Sequence, residues 1–386
     1  MWVLVFGGLR AFVVQAEHCG DPDVRSITDS VDAAVGWFAR NQNADGTWLY
    51  RYDRDVDVAV GGYNITRHAG VTMSLEQAAA RGFGNAAAVS EAGIGWAVSN
   101  LVDGPGWRAF ASADSDTVSS GPSGLLTAAL VYRRDRTGTD TYDDVMHDLG
   151  AFMVAMVNER GQVYAEWGVD TAAPVPELYS RYFTGEVFWA LALLHRTFPD
   201  GDFGYGAAAE RVARYIATER TEVEEFEPDL PDHWAAYGFS VMTSWPGYAL
   251  PEEYDYYVRR QSGLQSLQIR YESQRTNSTF SYFTRGRQTL GAGLGTIGEA
   301  LGHWTVVAEA SPRLDEIAGP LAKRTRCVAG TLMARQVGDD DVSDDDDPDA
   351  VLGAWFQFDV TQMDDQQHAL SALLAALPRP ATAEVG

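Results

Sequence analysis

Apolar residues recur every three to four positions along most of this chain, and glycine, proline and aspartate interrupt the recurrence. A period of about 3.6 residues is typical of helices that bury one side, and the interruptions mark where such helices end. The pattern predicts twelve helices, at 28–42, 65–81, 86–101, 120–136, 141–157, 182–197, 205–220, 232–244, 253–274, 289–309, 312–335 and 365–378. The chain is therefore predicted to be an all-α protein.

Four parts of the chain show the same order of features. A helix ends near Gln, Asn or Arg, a turn with Gly or Asp follows, and a short stretch with alternating aromatic residues leads into the next helix. These parts cover 35–53, 152–168, 267–286 and 332–359. Repetition of this kind indicates one supersecondary unit used several times. The sequence therefore predicts six helical hairpins joined by short, aromatic, β-like loops.

The even-numbered predicted helices differ in composition from the odd-numbered ones. Even helices are richer in Ala, Gly, Leu and Trp, as expected of helices with neighbours on all sides, whereas odd ones carry more Arg, Asp and Glu. This alternation predicts an (α/α)6 toroid over residues 28–379, with the aromatic loops at the mouth where the inner helices begin. We expect residues 1–27 to be a separate N-terminal segment and 380–386 to be a disordered tail.

Several of these stretches resemble known toroidal proteins. "QNADGTWLYRYD" resembles the Q…DG-[ST]-[WF] helix ends of alpha/alpha-toroid proteins. "YNITRHAG", "YFTGEVFWALALLHR" and "QHALSALLAAL" are similar to inner-helix starts in uncharacterised bacterial members of the six-hairpin glycosidase-like superfamily. A weaker resemblance is to the terpenoid cyclase/prenyltransferase toroid, whose aspartate motif is not convincingly present on a predicted toroid wall. The resemblance covers most of residues 30–378 and implies the architecture rather than a set of catalytic residues.

The charge of the chain excludes some classes of partner. The net charge is −25, the isoelectric point is near 4.5, and Lys323 is the one lysine among 29 Lys and Arg residues. Such a chain repels nucleic acid and anionic membranes, so we expect neither nucleic acid nor membrane insertion. An acidic surface with so little lysine also suggests a salt-adapted, halophilic organism.

The N-terminus leaves the cellular location open. "MWVLVFGGLRAFVVQA" is apolar and ends in a small residue, which suits a signal peptide cut after Ala16, but it has no basic start and Arg10 interrupts it. The protein is expected to be secreted or periplasmic if this segment is a signal, and cytoplasmic otherwise. Two cysteines, Cys19 and Cys327, predict neither a disulfide framework nor a zinc site.

Polar side chains at the starts of the inner helices are the candidates for function, because those helix starts converge at the mouth and present free backbone N–H groups. Aromatic rings interleaved with carboxylates, amides and arginines form a good saccharide-binding surface. The predicted substrate-binding residues are Asn64, Arg67, Glu166, Trp167, Arg181, Tyr182, His233, Trp234, Arg285, Arg287, Asp359, Gln367 and His368. A saccharide is therefore the expected partner.

Hydrolysis of a glycoside is the chemistry that the sequence favours. It usually needs two carboxyl groups that flank the bond, and the candidates are Glu166, Glu186, Asp232 and Asp365. Glu186 lies in the first turn of an apolar helix, where burial raises the pKa of a carboxyl and suits it to act as a general acid. Glu186 and Asp232 also suit simple helix capping.

A lyase or uronate epimerase is the second possibility. Such enzymes neutralise a uronate with Arg or Asn and abstract a proton with Tyr or His, and Tyr63, Asn64, Arg67 and His68 supply all these types within six residues. His68 equally suits a core histidine that bonds a neighbouring carbonyl. A toroid that binds saccharide or protein without catalysis is the third possibility. We expect no cofactor, and no metal because no HxH, HxxxH or HExxH spacing is present.

Overall fold

The computed structural model describes residues 2–8, 10, 15–224, 232–276, 278–289, 291–343 and 346–379. The predicted tail, 380–386, lies outside the described residues.

In chain order the helices of this part are α1 (Trp2–Gly8), α2 (Val24–Arg40), α3 (Ile65–Ala80), α4 (Ala86–Ser99), α5 (Ser120–Thr137), α6 (Asp143–Ala155), α7 (Phe183–Thr197), α8 (Tyr205–Thr218), α9 (Arg220–Val223), α10 (His233–Met242), α11 (Asp255–Glu272), α12 (Thr279–Arg285), α13 (Ala292–Ala310), α14 (Asp315–Met333), α15 (Pro348–Val351) and α16 (Met363–Ala376). All twelve predicted helices are present. Their ends lie within a few residues of the predicted ones.

Six of these helices form a closed inner ring. α3 contacts α5, α5 contacts α7, α7 contacts α10, α10 contacts α13, α13 contacts α16, and α16 returns to α3. The outer helices α2, α4, α6, α8, α11 and α14 precede these six in the chain. This is the predicted (α/α)6 toroid.

Burial distinguishes the two rings. α7 is buried without interruption from Thr184 to Leu194 because other helices surround it. α2 buries Ile27, Val31, Ala34 and Phe38, which recur every three or four residues on one side, and leaves the other side to solvent. The second, fourth, sixth, eighth, tenth and twelfth of the predicted helices were expected to form the inner ring. They are α3, α5, α7, α10, α13 and α16, so this prediction is confirmed.

Short antiparallel strands connect the hairpins. They are β1 (Arg51–Asp53), β2 (Val58–Val60), β3 (Leu101–Gly104), β4 (Trp107–Phe110), β5 (Thr117–Ser119), β6 (Glu166–Gly168), β7 (Ala173–Pro174) and β8 (Val360–Gln362). β1 lies between β2 and β8, in a register that places Arg51 opposite Gln362. This sheet joins the first hairpin to the last and so helps to close the ring.

One predicted aromatic loop is wrong. The aromatic residues near the end of 267–286 form the helix α12 rather than an extended stretch. Ser278 caps this helix, because its side chain accepts a hydrogen bond from the backbone N–H of Ser281 at 3.1 Å. A local cap therefore outweighs the alternating pattern.

The cysteines differ from expectation, because Cys19 and Cys327 form a disulfide. The bond ties the segment before α2 to α14. Gly330, one turn further along α14, permits the close approach, since a β-carbon there would lie 1.8 Å from the carbonyl oxygen of Cys19. No helix in the described ranges is long and apolar enough to span a membrane.

Candidate active site

A cavity of about 630 Å³ opens where the inner helices begin. Its walls come from the starts of α3, α5, α7, α10, α13 and α16, and from α11. Eight predicted site residues line it: Asn64, Arg67, Tyr182, Glu186, His233, Trp234, Gln367 and His368. We call this space the mouth cavity.

A second cavity, of about 540 Å³, lies at the opposite ends of the inner helices. Arg81, Tyr132, His303 and Arg379 are among its lining residues, and none of the predicted site residues is. The second cavity therefore holds none of the predicted candidate chemistry.

His368, in the cavity wall, begins a buried hydrogen-bonded chain that runs behind the wall through Glu299 to Tyr237, which lines the second cavity. Its Nδ1 lies 2.6 Å from Oε1 of Glu299, and the hydroxyl of Tyr237 donates to Oε2 of Glu299 at 2.8 Å. Burial lowers the pKa of His368, but the facing Glu299 carboxylate outweighs burial and the net pKa shift is upward. His368 is thus disposed to carry a proton, with Nδ1 committed to Glu299.

His233 has the opposite electrostatic character. It is the first residue of α10, its ring centroid lies 5.2 Å from that of His368, and its Nε2 is buried with no hydrogen-bond partner in the described residues. Burial holds the pKa of His233 well below its ordinary value, and the neighbouring His368 acts in the same direction. His233 is thus a neutral imidazole with a free nitrogen in the cavity wall.

Glu186 is a buried, protonated carboxyl in the same wall. Its side chain is 3% exposed, and Oε2 has no hydrogen-bond partner within the described ranges. Burial raises the pKa of Glu186 to about 8, and the charge of Asp232 adds to this rise. The site depends on Gly121, because a β-carbon there would lie 2.1 Å from Oε2 of Glu186.

Asp232 lies behind the cavity wall rather than in it. One oxygen accepts a hydrogen bond from the Ala235 backbone N–H at 3.1 Å, and the other pairs with Arg220 at 2.5 Å. Asp232 is thus the N-cap of α10. Burial raises the pKa of Asp232, and the Arg220 guanidinium opposes that rise. Both oxygens are occupied, so the observed contacts are structural and position His233.

Arg67 and Asn64 line the cavity but are held by neighbours. The side chain of Asn64 caps α3 by accepting from the Arg67 backbone N–H at 3.0 Å. The Arg67 guanidinium lies 3.1 Å from the Asp364 carboxylate and donates to the Tyr50 hydroxyl at 2.5 Å. The Arg67 guanidinium is therefore held in an ion pair with Asp364 at the edge of the mouth cavity.

Tyr63 and His68 lie outside the cavity. The Tyr63 hydroxyl is 2.7 Å from Nδ1 of His68, and Nε2 of His68 is 2.9 Å from the Gly93 carbonyl oxygen. Burial lowers the pKa of His68 to about 4. Both ring nitrogens are occupied, so the observed contacts match the core histidine that the sequence also allowed.

The remaining predicted residues lie away from the mouth cavity. Trp167, in β6 beside Glu166, packs edge-on against Trp107 at 5.3 Å. Arg181 precedes α7, and its carbonyl accepts from Arg220 at 2.9 Å.

Three further predicted residues lie near the starts of α13 and α16. Arg285 is buried with its guanidinium over the ring of Tyr271. Asp359 is in an exposed turn, and Arg287 lines a separate, smaller groove.

Sequence reasoning missed Glu299, Tyr237 and Asp364. Glu299 and Tyr237 lie in the interiors of α13 and α10, away from the helix starts to which the search was confined. A glutamate within an otherwise apolar, small-residue helix was the available signal, because a buried carboxylate needs a partner.

The same group of side chains has the composition of a metal site. His233, Glu299 and His368 each place one ligand atom within 4.8 Å of the others. The 2.6 Å separation of His368 Nδ1 and Glu299 Oε1 is that of a direct hydrogen bond. Two atoms that each lie about 2.0–2.2 Å from one tetrahedral ion are further apart than this, so the arrangement favours proton transfer. The absence of a metal stays a prediction.

The fold and this site place the chain among the helical toroids with a polar mouth. No protein-family profile matches the sequence, and no curated protein matches it. Solved structures match over nearly the whole chain. A cellobiose 2-epimerase from Spirochaeta thermophila is 12% identical, with 92% of this chain and 96% of that chain covered and a TM-score of 0.62.

Two hydrolases match similarly. An unsaturated glucuronyl hydrolase specific for heparin is 10% identical, with 92% and 97% covered and a TM-score of 0.60. An alpha-1,6-mannanase from Salegentibacter sp. is 10% identical, with 92% and 99% covered and a TM-score of 0.56. At these identities the likeness shows the fold alone. The chain has the six-hairpin glycosidase-like toroid fold, as the sequence resemblance implied.

Proposed function

We propose that this protein is a carbohydrate-active enzyme that moves a proton at the carbon next to a sugar carbonyl, as an epimerase or an aldose–ketose isomerase. The observation that carries the proposal is the pair His233 and His368. Their rings lie 5.2 Å apart in one cavity wall, and their pKa values are shifted in opposite directions. Where the surroundings of two neighbouring groups shift their pKa values apart, the group with the lowered pKa can act as the base and the group with the raised pKa as the acid.

The chemistry follows from these two protonation states. Neutral His233 removes the proton from the carbon beside the carbonyl of an open-chain sugar. Protonated His368 gives its proton to the carbonyl oxygen, and the product of this step is an enediol. If the enediol turns its other face to His233 by rotation about the adjacent C–C bond, return of the proton from His233 to the same carbon gives the epimer. Its return to the neighbouring carbon gives the isomer. In both cases a hydroxyl of the enediol returns a proton to His368 as the carbonyl forms again. Glu299 stabilises the charged form of His368 before the proton is given and after it returns.

The rest of the cavity suits a sugar. Tyr182, which is 48% exposed, offers an aromatic face for the C–H side of a ring, and the exposed Gln268 offers an amide group for hydroxyls. The similarity to a cellobiose 2-epimerase supports a carbohydrate substrate, although the solved structures of this fold also include hydrolases.

Hydrolysis is the second candidate, and Glu186 is the observation that favours it. A carboxyl with a pKa of about 8 is a suitable general acid at neutral pH. Asp364 is the other carboxylate among the described residues that line the cavity, but it is paired with Arg67 at 3.1 Å. A uronate lyase centred on Tyr63 and His68 is less favoured, because the two side chains bond each other outside the cavity.

Solvent exchange distinguishes these chemistries. We would incubate glucose, mannose, cellobiose and glucuronate with the protein in D2O and follow the C2 proton by NMR, at low and high salt. The proposal predicts deuterium at C2 together with an epimer or ketose product. It also predicts a loss of at least about 100-fold in H233Q and in H368Q, because general acid–base groups contribute about 10²–10⁴-fold. H18Q, which changes an exposed histidine outside the cavity, is the matched control.

Other outcomes would overturn the proposal. Deuterium exchange that H233Q leaves unchanged would remove His233 as the base. Release of reducing ends from an oligosaccharide without exchange, lost in E186Q, would instead establish hydrolysis. An unsaturated product would establish a lyase. Sugar binding with none of these reactions would leave a binding protein.

A further inference from the structure

A smaller groove of about 280 Å³ lies beside the mouth cavity and is not used by the proposed chemistry. Tyr282, Arg287, Gln288 and Phe358 form its walls, together with Ser278. We call this space the rim groove. Its lining combines aromatic rings with amide, hydroxyl and guanidinium groups.

Aromatic rings in the rim groove are unusually accessible. Phe358 is 56% exposed and Tyr282 is 47% exposed. The Arg287 guanidinium carbon lies 4.4 Å from the centre of the Phe358 ring and 5.5 Å from that of Tyr282. The cation therefore holds both rings in place at the surface. Exposed aromatic rings that are ordered in this way contribute little to the core and are typical of binding surfaces.

The backbone that presents Phe358 is strained. Phe358 has φ 52° and Asp359 has φ 63°, in the left-handed region that bulky residues avoid. Hydrogen bonds between Gln357 and Val360, at 2.8 and 3.1 Å, close this tight turn. Glycine would fit there without strain, yet the chain has phenylalanine. Strain of this kind is concentrated at functional sites.

The rim groove and the mouth cavity are adjacent. Gln288 lines the groove and Ala292 lines the cavity. Four residues of chain span at most about 14 Å, so these two lining residues lie within that distance of each other. Asp365 accepts a hydrogen bond from the Ala292 backbone N–H at 2.9 Å and so ties the start of α13 to α16, whose preceding loop carries Phe358. Both spaces therefore border the segments that lead into α13 and α16.

We propose that the rim groove is an accessory subsite that binds a further sugar unit of an oligosaccharide whose reacting end lies in the mouth cavity. Phe358 and Tyr282 stack on the C–H face of that unit, and Arg287 and Gln288 donate hydrogen bonds to its hydroxyls. The inference rests on the proposed function insofar as the substrate is a saccharide. It adds that the natural substrate is longer than one sugar unit.

Binding of sugars of increasing length tests this inference. In the H233Q background, in which the proposed chemistry should be at least about 100-fold slower, we would measure affinities by calorimetry for glucose, cellobiose and cellotriose, and for mannose, α-1,6-mannobiose and α-1,6-mannotriose. We expect affinity to rise with length in at least one series. F358G should reduce the trisaccharide-to-monosaccharide affinity ratio by about tenfold, the size of one aromatic stacking contact.

The same variant separates binding from folding. Glycine relieves the strained φ at position 358, so the melting temperature of F358G should be equal to or above that of the parent. Y256A is the matched control, because Tyr256 is 69% exposed on α11 and lines neither the groove nor the mouth cavity. An affinity ratio that F358G leaves unchanged, or that Y256A reduces equally, would overturn the inference.

The two proposals can fail separately. Length-dependent binding that F358G weakens, without deuterium exchange on any sugar, would retain the subsite and reject the proton transfer. Exchange on sugars with no effect of F358G on the affinity ratio would retain the proton transfer and reject the subsite. Capture of a protein at the groove, with no sugar binding, would also reject the subsite.

Discussion

Glu299 Oε1 lies 2.6 Å from His368 Nδ1 in the wall of the mouth cavity, and both side chains lie within the inner ring of helices. The contact joins α13 to α16. Because the carboxylate is buried, its charge acts on the imidazole with little screening by water. The contact therefore determines which of the two cavity histidines carries a proton.

Replacing Glu299 by Gln should lower the pKa of His368. The substitution removes the charge that raises this pKa and leaves the burial that lowers it. NMR titration of the His368 ring in wild type and E299Q measures the change without any assay of activity. Y237F is the control, since it removes only the hydrogen bond to the other carboxylate oxygen and should leave the His368 pKa raised. An identical His368 pKa in E299Q and wild type would contradict this account.

The stability of the protein should depend on pH through Glu186. The carboxyl releases its proton near pH 4.5 in the unfolded chain and near pH 8 in the folded one. The contribution of Glu186 to the free energy of unfolding is thus complete below pH 4.5. It falls by about 1.4 kcal/mol per pH unit as the pH rises from 4.5 to about 8. E186Q, which cannot ionise, should gain stability relative to wild type between pH 5 and pH 8 in denaturant titrations.

A matched control for this effect is E159Q, because Glu159 is exposed on the surface. Its stability relative to wild type should not change across the same range. A difference between E186Q and wild type that is constant with pH would show that Glu186 is not buried as a neutral acid.

His68 should stabilise the fold rather than act in catalysis. Both of its nitrogens are hydrogen-bonded in the core, so H68Q should lower the unfolding free energy at pH 7 by about 1–3 kcal/mol. The pKa of His68 is lowered to about 4 in the folded protein and is about 6.5 in the unfolded chain. The contribution of His68 to the free energy of unfolding is therefore complete above pH 6.5 and is lost as the pH falls toward 4. The difference in unfolding free energy between wild type and H68Q should therefore shrink as the pH falls from about 6.5 to about 4. Equal stability of H68Q and wild type at pH 7 would be inconsistent with this role.

The disulfide should stabilise the toroid by restricting the unfolded chain. Cys19 and Cys327 are 308 residues apart, and a loop of this size gives about 6 kcal/mol in the chain-entropy description. The C19S/C327S double variant should unfold at lower denaturant concentration than oxidised wild type, and reductant should bring wild type to the same midpoint. Reductant should not affect the double variant. If it lowers the midpoint of the double variant as much as that of wild type, the effect does not come from this bond.

The sequence alone determined the arrangement of helices, because that arrangement depends on local periodicity and on composition. The positions of α3 and α7, their place in the inner ring and the polar residues at their starts could all be predicted from the pattern of small, apolar and polar residues. The pattern was insufficient at α12, where aromatic residues at alternating positions indicated an extended loop. A single serine cap and the neighbouring helices decided that segment.

The chemistry at the mouth was decided by the tertiary structure. His233 and His368 were recognised as site residues from their positions at helix starts, but their opposite pKa shifts depend on Glu299, which faces His368 from another helix. His68 has the same position at a helix start, yet Tyr63 and the carbonyl of Gly93 occupy both its nitrogens. The physical reason is that burial and pairing are properties of side chains brought together from distant segments. The helical period specifies which side of a helix faces inward, but not which charge it meets there.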